Sequence, residues 1–259
     1  MKDKMCLTFR IKFLQSFGII IEPGCSKLAM KKTLFVFLTC TLAIAGIISC
    51  NNKNNTTVPV SSFGLINVSP NAGNVDVSLN GNPVVSNLAY GVDTGYFSVR
   101  SGTYTLAIDS AGSSTPLYNE GISFAPGAAY SVFIIDSVSN LHTAVVADSV
   151  AAPSADSVQL RFFNFSPNTP PVDVALSGAV ISVNRSYNDV TTNAGLAQFS
   201  LLTPGTYTLE LRIAGTSTVL LSVPNITLEG GKVYTLYAKG LAGDTGEDAL
   251  SVGTVVHNE

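Results

Sequence analysis

Asn67–Leu79, NVSPNAGNVDVSL, returns 97 positions later as Asn164–Leu176, NFSPNTPPVDVAL. Ser101–Ile108 (SGTYTLAI) recurs as Pro204–Leu211 (PGTYTLEL), and Ile122–Ile134 (ISFAPGAAYSVFI) as Ile226–Ala238 (ITLEGGKVYTLYA). Three blocks in one order at nearly constant spacing read as one domain written twice. Each copy spans about 90 residues. The spacing grows from 97 to 103 between the first and second blocks because Asn184–Ala194 is longer than its counterpart, which marks a loop insertion.

Within each copy the apolar residues alternate. Val75, Val77 and Leu79 interleave with Asp76, Ser78 and Asn80. Tyr207, Leu209, Leu211 and Ile213 interleave with Thr206, Thr208, Glu210 and Arg212. A helix would scatter these sets around its circumference, whereas a strand puts them on opposite faces. Strands are expected at Tyr96–Arg100, Thr103–Asp109, Ala129–Asp136 and Leu141–Ala147 as well, with Asn80-Gly81 as a hairpin turn. No helix of any length is visible after Cys50. The fold class is all-β.

The first fifty residues differ. Met30-Lys31-Lys32 precedes Thr33–Ile48, sixteen residues without a charge, and then Ser49-Cys50. This is the positive, apolar and small-residue order of a secretory signal. Ile47-Ile48-Ser49-Cys50 resembles the lipobox of bacterial lipoproteins, which implies lipidation of Cys50 and membrane attachment through its acyl chains. The alternative, an uncleaved membrane helix, is short of the roughly 20 residues a span needs. Residues 1–29 fit neither reading and are taken as a start-site misassignment. Residues 30–49 form the signal peptide and residues 50–62 a polar tether. Residues 63–148 form the first sandwich, 149–157 a short linker with Pro153, and 158–259 the second sandwich. Asn51 follows the lipidated cysteine, where an aspartate would resemble an inner-membrane retention signal. That favours the outer membrane and leaves the periplasmic or surface face open.

Composition excludes several functions. All four cysteines lie at or before Cys50, so the body has neither a disulfide framework nor a thiolate metal site. From Cys50 onward seven Lys and Arg face fifteen Asp and Glu, a net charge of −8 (7 − 15) that repels nucleic acid.

Gly127 with Tyr130, and Gly231 with Tyr234, resemble the tyrosine corner of immunoglobulin-like and fibronectin-like sandwiches. Ser-Pro-Asn, Val-Asp-Val and Gly-Thr-Tyr-Thr-Leu together resemble the bacterial family known as domain of unknown function 4397. Many members carry Ser-Pro-Asp-Ala-Pro at the first block. Ser69-Pro70-Asn71-Ala72-Gly73 and Ser166-Pro167-Asn168-Thr169-Pro170 both have Asn for that Asp. The resemblance covers nearly all of residues 63–256 and implies a secreted or lipid-anchored β-sandwich with no assigned activity. The expected architecture is two tandem immunoglobulin-like antiparallel β-sandwiches after an N-terminal signal helix.

Candidate sites are few. Asp76 and Asp173, each between valines, are either calcium or ligand carboxylates near the Ser-Pro-Asn loop or acceptors for that loop's backbone amides that fix the turn. One carboxylate is far short of the about six to eight oxygens that calcium takes. Asp244, Glu247 and Asp248 cluster in Gly243–Asp248 without the spacing of a calcium loop. His142 and His257 have no nucleophile or carboxylate recurring beside both, so a Ser-His-Asp arrangement or a His-ligated metal is not expected. Tyr90, Tyr96, Tyr118 and Tyr187 are either loop packing or rings that stack on sugars. Asp-Ser followed by Ala or Val at Ser110, Ser137, Ser149 and Ser157 resembles an acceptor pattern for periplasmic O-glycosylation. These residues point to a non-enzymatic cell-envelope lipoprotein, structural or binding, without a cofactor or metal. The alternative is a carbohydrate-binding lipoprotein using loops at one end of the sandwiches. A glycan or an envelope protein is the partner class.

Overall fold

The computed structural model describes residues 58–148 and 151–257. Cys50, the signal peptide, the first 29 residues, most of the tether, Ser149 and the last two residues lie outside the described part. Among the described residues no helix is long and apolar enough to cross a membrane.

Eight strands build the first sandwich: β1 (Val60–Asn67), β2 (Val75–Leu79), β3 (Asn82–Leu88), β4 (Asp93–Arg100), β5 (Gly102–Ser110), β6 (Pro116–Phe124), β7 (Ala129–Ile135) and β8 (His142–Ala147). They form two sheets, ordered β4-β1-β7-β8 and β3-β2-β5-β6. The second sandwich uses β9 (Val158–Asn164), β10 (Val172–Leu176), β11 (Ala179–Arg185), β12 (Ser200–Leu202), β13 (Gly205–Ile213), β14 (Val219–Leu228), β15 (Val233–Lys239) and β16 (Ser251–Val256). Their orders, β12-β9-β15-β16 and β11-β10-β13-β14, match the first pair position by position.

The alternation does what it predicts. Leu106 and Ile108 of β5, and Leu209 and Leu211 of β13, are buried between the sheets of their own sandwich. Asn80 and Gly81 both take positive φ, as the tight β2–β3 hairpin requires. Tyr130 Oη accepts from the Ala125 amide at 3.2 Å and Tyr234 Oη from the Glu229 amide at 3.1 Å, so each corner ring reaches back as expected.

Two expectations are corrected. The sheets are not purely antiparallel, because β1 pairs with β7, and β9 with β15, in parallel. Between β1 and β7 the chain crosses to the other sheet and back twice, so no hairpin forces the two strands to oppose. The chain after Cys50 also carries helix: the Asn184–Ala194 insertion contains a one-turn helix, α1 (Asp189–Thr192), followed by a 3₁₀ turn at Ala194–Ala197.

The insertion has a structural counterweight. β4 runs beside β1 from Val60 to Ile66, whereas β12 covers only Val158–Leu160 of β9. Where the strand is missing, Arg185 stands at the position that Leu88 holds in the first sandwich, judged by pairing with Val172 and Val75. Its guanidinium bonds the Phe162 carbonyl and grips Asp189 of α1 with Nε at 2.9 Å and Nη2 at 2.7 Å. A side chain thus replaces the lost ladder.

Besides one core per sandwich there is a third, between them. Ile66, Val68, Phe133, Ile135, Ala144 and Val146 of the first sandwich pack on Phe163, Phe165, Val190, Tyr237 and Val255 of the second. The sheets β4-β1-β7-β8 and β12-β9-β15-β16 therefore meet face to face, each covered on both sides. The buried runs Ser131–Ile135 and Val233–Ala238 are the result. Phe133 lies at its centre, edge-on to Phe163 (5.9 Å between ring centres) and Tyr237 (5.3 Å).

The joint is docked as well. Ser157 O accepts from the Gly231 amide at 2.8 Å. A Cβ on Gly230 would lie 1.8 Å from Ala155 O, so only glycine admits the joint at that point.

Candidate functional site

At the margin of the third core the apolar packing gives way to a closed polar ring. Alternation places it there. On β9 the side chains facing the first sandwich are Gln159, Arg161 and Phe163; on β15 they include Thr235 and Tyr237. Pairing registers make Gly64, Ser131 and Asp148 the counterparts of Arg161, Thr235 and His257. The same three positions therefore supply an anion to one half and a cation to the other.

The ring's bonds run both ways round from Arg161, the donor, to Asp148, the acceptor. Arg161 Nε donates to Thr235 Oγ1 at 2.7 Å, and Thr235 Oγ1 lies 2.6 Å from His257 Nε2. His257 Nδ1 lies 2.7 Å from Tyr96 Oη, and Tyr96 Oη donates to Asp148 Oδ2 at 2.8 Å. Asp148 Oδ1 completes the circle with Arg161 Nη2. Ser131 Oγ adds a second donor to Asp148 Oδ2 at 2.8 Å, and Arg161 Nη1 bonds Ala147 O at 2.9 Å. Because Tyr96 spends its proton on Asp148, His257 donates through Nδ1, which leaves Nε2 free to accept from the Thr235 hydroxyl in the neutral ring. Burial indeed pushes its pKa down to about 4; Asp148 pulls the other way and Arg161 adds to the fall.

This ring has the residue types of a proton relay, but three of its members are buried. The side chains of Arg161, Asp148 and His257 are 0%, 1% and 3% exposed. Arg161 is further roofed by Phe163 and Phe199, 4.8 and 4.3 Å from the guanidinium carbon. Desolvation lowers the Arg161 pKa, and Asp148 opposes the shift. With its members bonded to one another across the seam, the arrangement ties the two sandwiches together.

The other candidates fall into two groups. Tyr90 and Tyr187, equivalent residues, each reach toward the opposite sandwich. Lys239 Nζ sits 4.0 Å above the Tyr90 ring, and the Tyr187 ring stands edge-on to His142. Burial, then Asp248, pushes the Tyr90 pKa up to about 12; burial, then Asp136, raises that of Tyr187. His142 is held by Asn140 O at 2.9 Å and Asn188 Nδ2 at 3.2 Å. Asp248 accepts from the Asn71 amide at 3.3 Å, again across the seam. Tyr96, Tyr90, Tyr187, both histidines and one acid of the Gly243–Asp248 loop are thus seam residues. Tyr118 bonds Thr143 within the first sandwich. The four tyrosines do not gather at one end.

Asp76 and Asp173 are turn anchors. Asp76 accepts from the amides of Asn87 (2.7 Å) and Gly112 (3.0 Å), Asp173 from those of Asn184 (2.8 Å) and Gly215 (2.9 Å). These bonds lower both pKa values. The amides belong to the strand bulge at Asn87 or Asn184 and to the β5–β6 or β13–β14 turn, not to the Ser-Pro-Asn loop. That loop is held by Asn67 and Asn164, whose Oδ1 atoms accept from the amides of Ser69 and Ser166. No group of three or more metal-ligating side chains occurs among the described residues. Ser110 and Ser137 are half-buried at strand ends, and Ser157 is tied to Ser154.

Sequence reasoning did not single out Arg161. Its signal was present, a lone cation inside the apolar run Leu160-Arg161-Phe162-Phe163.

No curated protein matches the chain. Three solved structures show remote likeness. A streptococcal virulence factor described for alpha-glucan binding is 8% identical, with 74% of this chain and 96% of that chain covered and a TM-score of 0.23. A family CBM26 module from Eubacterium rectale Amy13K, solved with maltoheptaose, is 9% identical over 77% and 97%, with a TM-score of 0.21. A putative cell adhesion protein from Bacteroides eggerthii is 11% identical over 80% and 97%, with a TM-score of 0.18. Scores this low do not amount to a shared fold, and no enzyme family is indicated. The family described as Domain of unknown function (DUF4397) matches residues 61–175, from β1 through the joint into β10, and over that stretch the chain is similar to this family.

Proposed function

We propose that the protein is a non-enzymatic lipoprotein of the cell envelope, a two-sandwich structural or binding module held at a membrane through Cys50. The observation that carries the non-enzymatic part is the seam. The side chains best suited to chemistry, Tyr96, Asp148, Arg161 and His257, saturate one another, with Asp148, Arg161 and His257 sealed from solvent. The anchor rests on the sequence, where Lys31-Lys32, an uncharged run and Cys50 follow one another in the order of a lipoprotein signal. Asn51 after the cysteine favours the outer membrane.

Metabolic labelling with an alkyne palmitate analogue in the native host tests the anchor. The label is expected on the wild type and absent from Cys50→Ala, which moves to the soluble fraction. Label retained on Cys50→Ala, or an unlabelled wild type, overturns the proposal.

A further inference from the structure

The insertion in the second sandwich does more than replace a strand. Between it and β8 lies a groove of about 420 Å³, walled by Val145 on one side and by Val190 and Ala197 on the other, with Gln159, Gln198 and Phe199. The first sandwich has no such insertion, so the groove exists only where the two halves meet.

Its chemistry is narrow. No Asp, Glu, Lys or Arg lines it, so an ionic ligand would find no counter-charge. Gln159 faces it from β9, and Gln159 Oε1 is buried without a hydrogen-bond partner. An orphaned buried acceptor costs stability unless something donates to it. An acyl chain would leave that oxygen unpaired. A peptide could add to β8 only along an open edge, but α1 lies against that strand and Asn188 bonds His142 at its start. What remains is a small neutral molecule with hydroxyl donors and an apolar face, suited to amides beside aliphatic and aromatic walls.

We infer that this seam groove binds a neutral saccharide of two or three sugar units. A sugar hydroxyl donates to Gln159 once the amide turns into the groove, and the C–H face of the ring rests on Val145, Val190 and Ala197. This names the ligand class for a binding module and so rests on that half of the functional reading, not on the lipid anchor.

The test is calorimetric titration of the full chain in detergent with neutral trisaccharides built from glucose, mannose, galactose or N-acetylglucosamine. Ala194→Trp, at an exposed position on the rim, fills the groove without entering a core. Gln159→Leu removes the orphaned acceptor. Saturable binding of one trisaccharide is expected, weakened at least tenfold in both variants. Gln159→Leu should keep or raise the melting temperature while losing ligand, a split that a merely structural glutamine would not give. No saturable binding to the wild type, or binding unchanged in both variants, overturns the inference. So does tighter binding of an acidic sugar, a fatty acid or a peptide. Palmitate labelling of Cys50 is unaffected by any of these outcomes, so the two readings fail separately.

Discussion

Asp148 and Arg161 show what one buried pair does in a seam. Removing either partner leaves the other charge buried and uncompensated, so Arg161→Ala should destabilise by about 3–5 kcal/mol in urea unfolding. Replacing both with apolar residues of similar size should recover most of that loss. His257 adds a pH dependence whose sign follows from its depressed pKa. The unfolded chain binds a proton near pH 6.5 and the folded one only near 4. Stability is therefore full above pH 6.5 and falls as pH drops below it. The loss between pH 7 and pH 5 should be about 2 kcal/mol, and His257→Gln should flatten it. Asp76 and Asp173 have lowered pKa values, so their contribution fades at more acidic pH, as pH falls through and below the usual carboxylate range. Their turn-anchoring role was legible from their place between valines. Their true partners were not, because Asn87 and Gly112 come near only once three strands have paired.

Among the strands, legibility follows burial on one face. β2, β5 and β13 each bury one face, and their alternation announces them. β3, β6 and β14 contain Pro83, Pro116 and Pro224 and lie at sheet edges, where proline and polar residues are tolerated and the pattern weakens. β7, β9 and β15 hide a different fact. Their mostly apolar runs, broken only by residues such as Ser131, Gln159, Arg161 and Thr235, mark strands covered on both faces, yet the sequence does not say what covers the second face. Gly253 makes the consequence measurable. A Cβ there would lie 2.3 Å from the Tyr237 ring, which crosses β16 on its way into the seam. Gly253→Ala should cost about 1–3 kcal/mol by overpacking, read as a lower urea midpoint with an unchanged slope.

For the body as a unit, the third core predicts joint unfolding. Residues 58–257 should melt in one calorimetric transition whose calorimetric and van't Hoff enthalpies agree. Two separated transitions would show that the seam does not couple the sandwiches. The first sandwich cut off at Asp148 should self-associate and bind a hydrophobic dye, since Ile66, Val68, Phe133 and Ile135 would face water. The repeat announced two sandwiches but could not announce their fusion, because a tether and a docked joint look alike as nine small residues.

The unequal assignment of Asp148 and His257 to matching positions bears on history. Halves that began alike have specialised as lock and key: two first halves would bring carboxylate to carboxylate, two second halves guanidinium to guanidinium. Their order along the polypeptide is thereby frozen, and neither can be exchanged, lost or copied again without breaking the other.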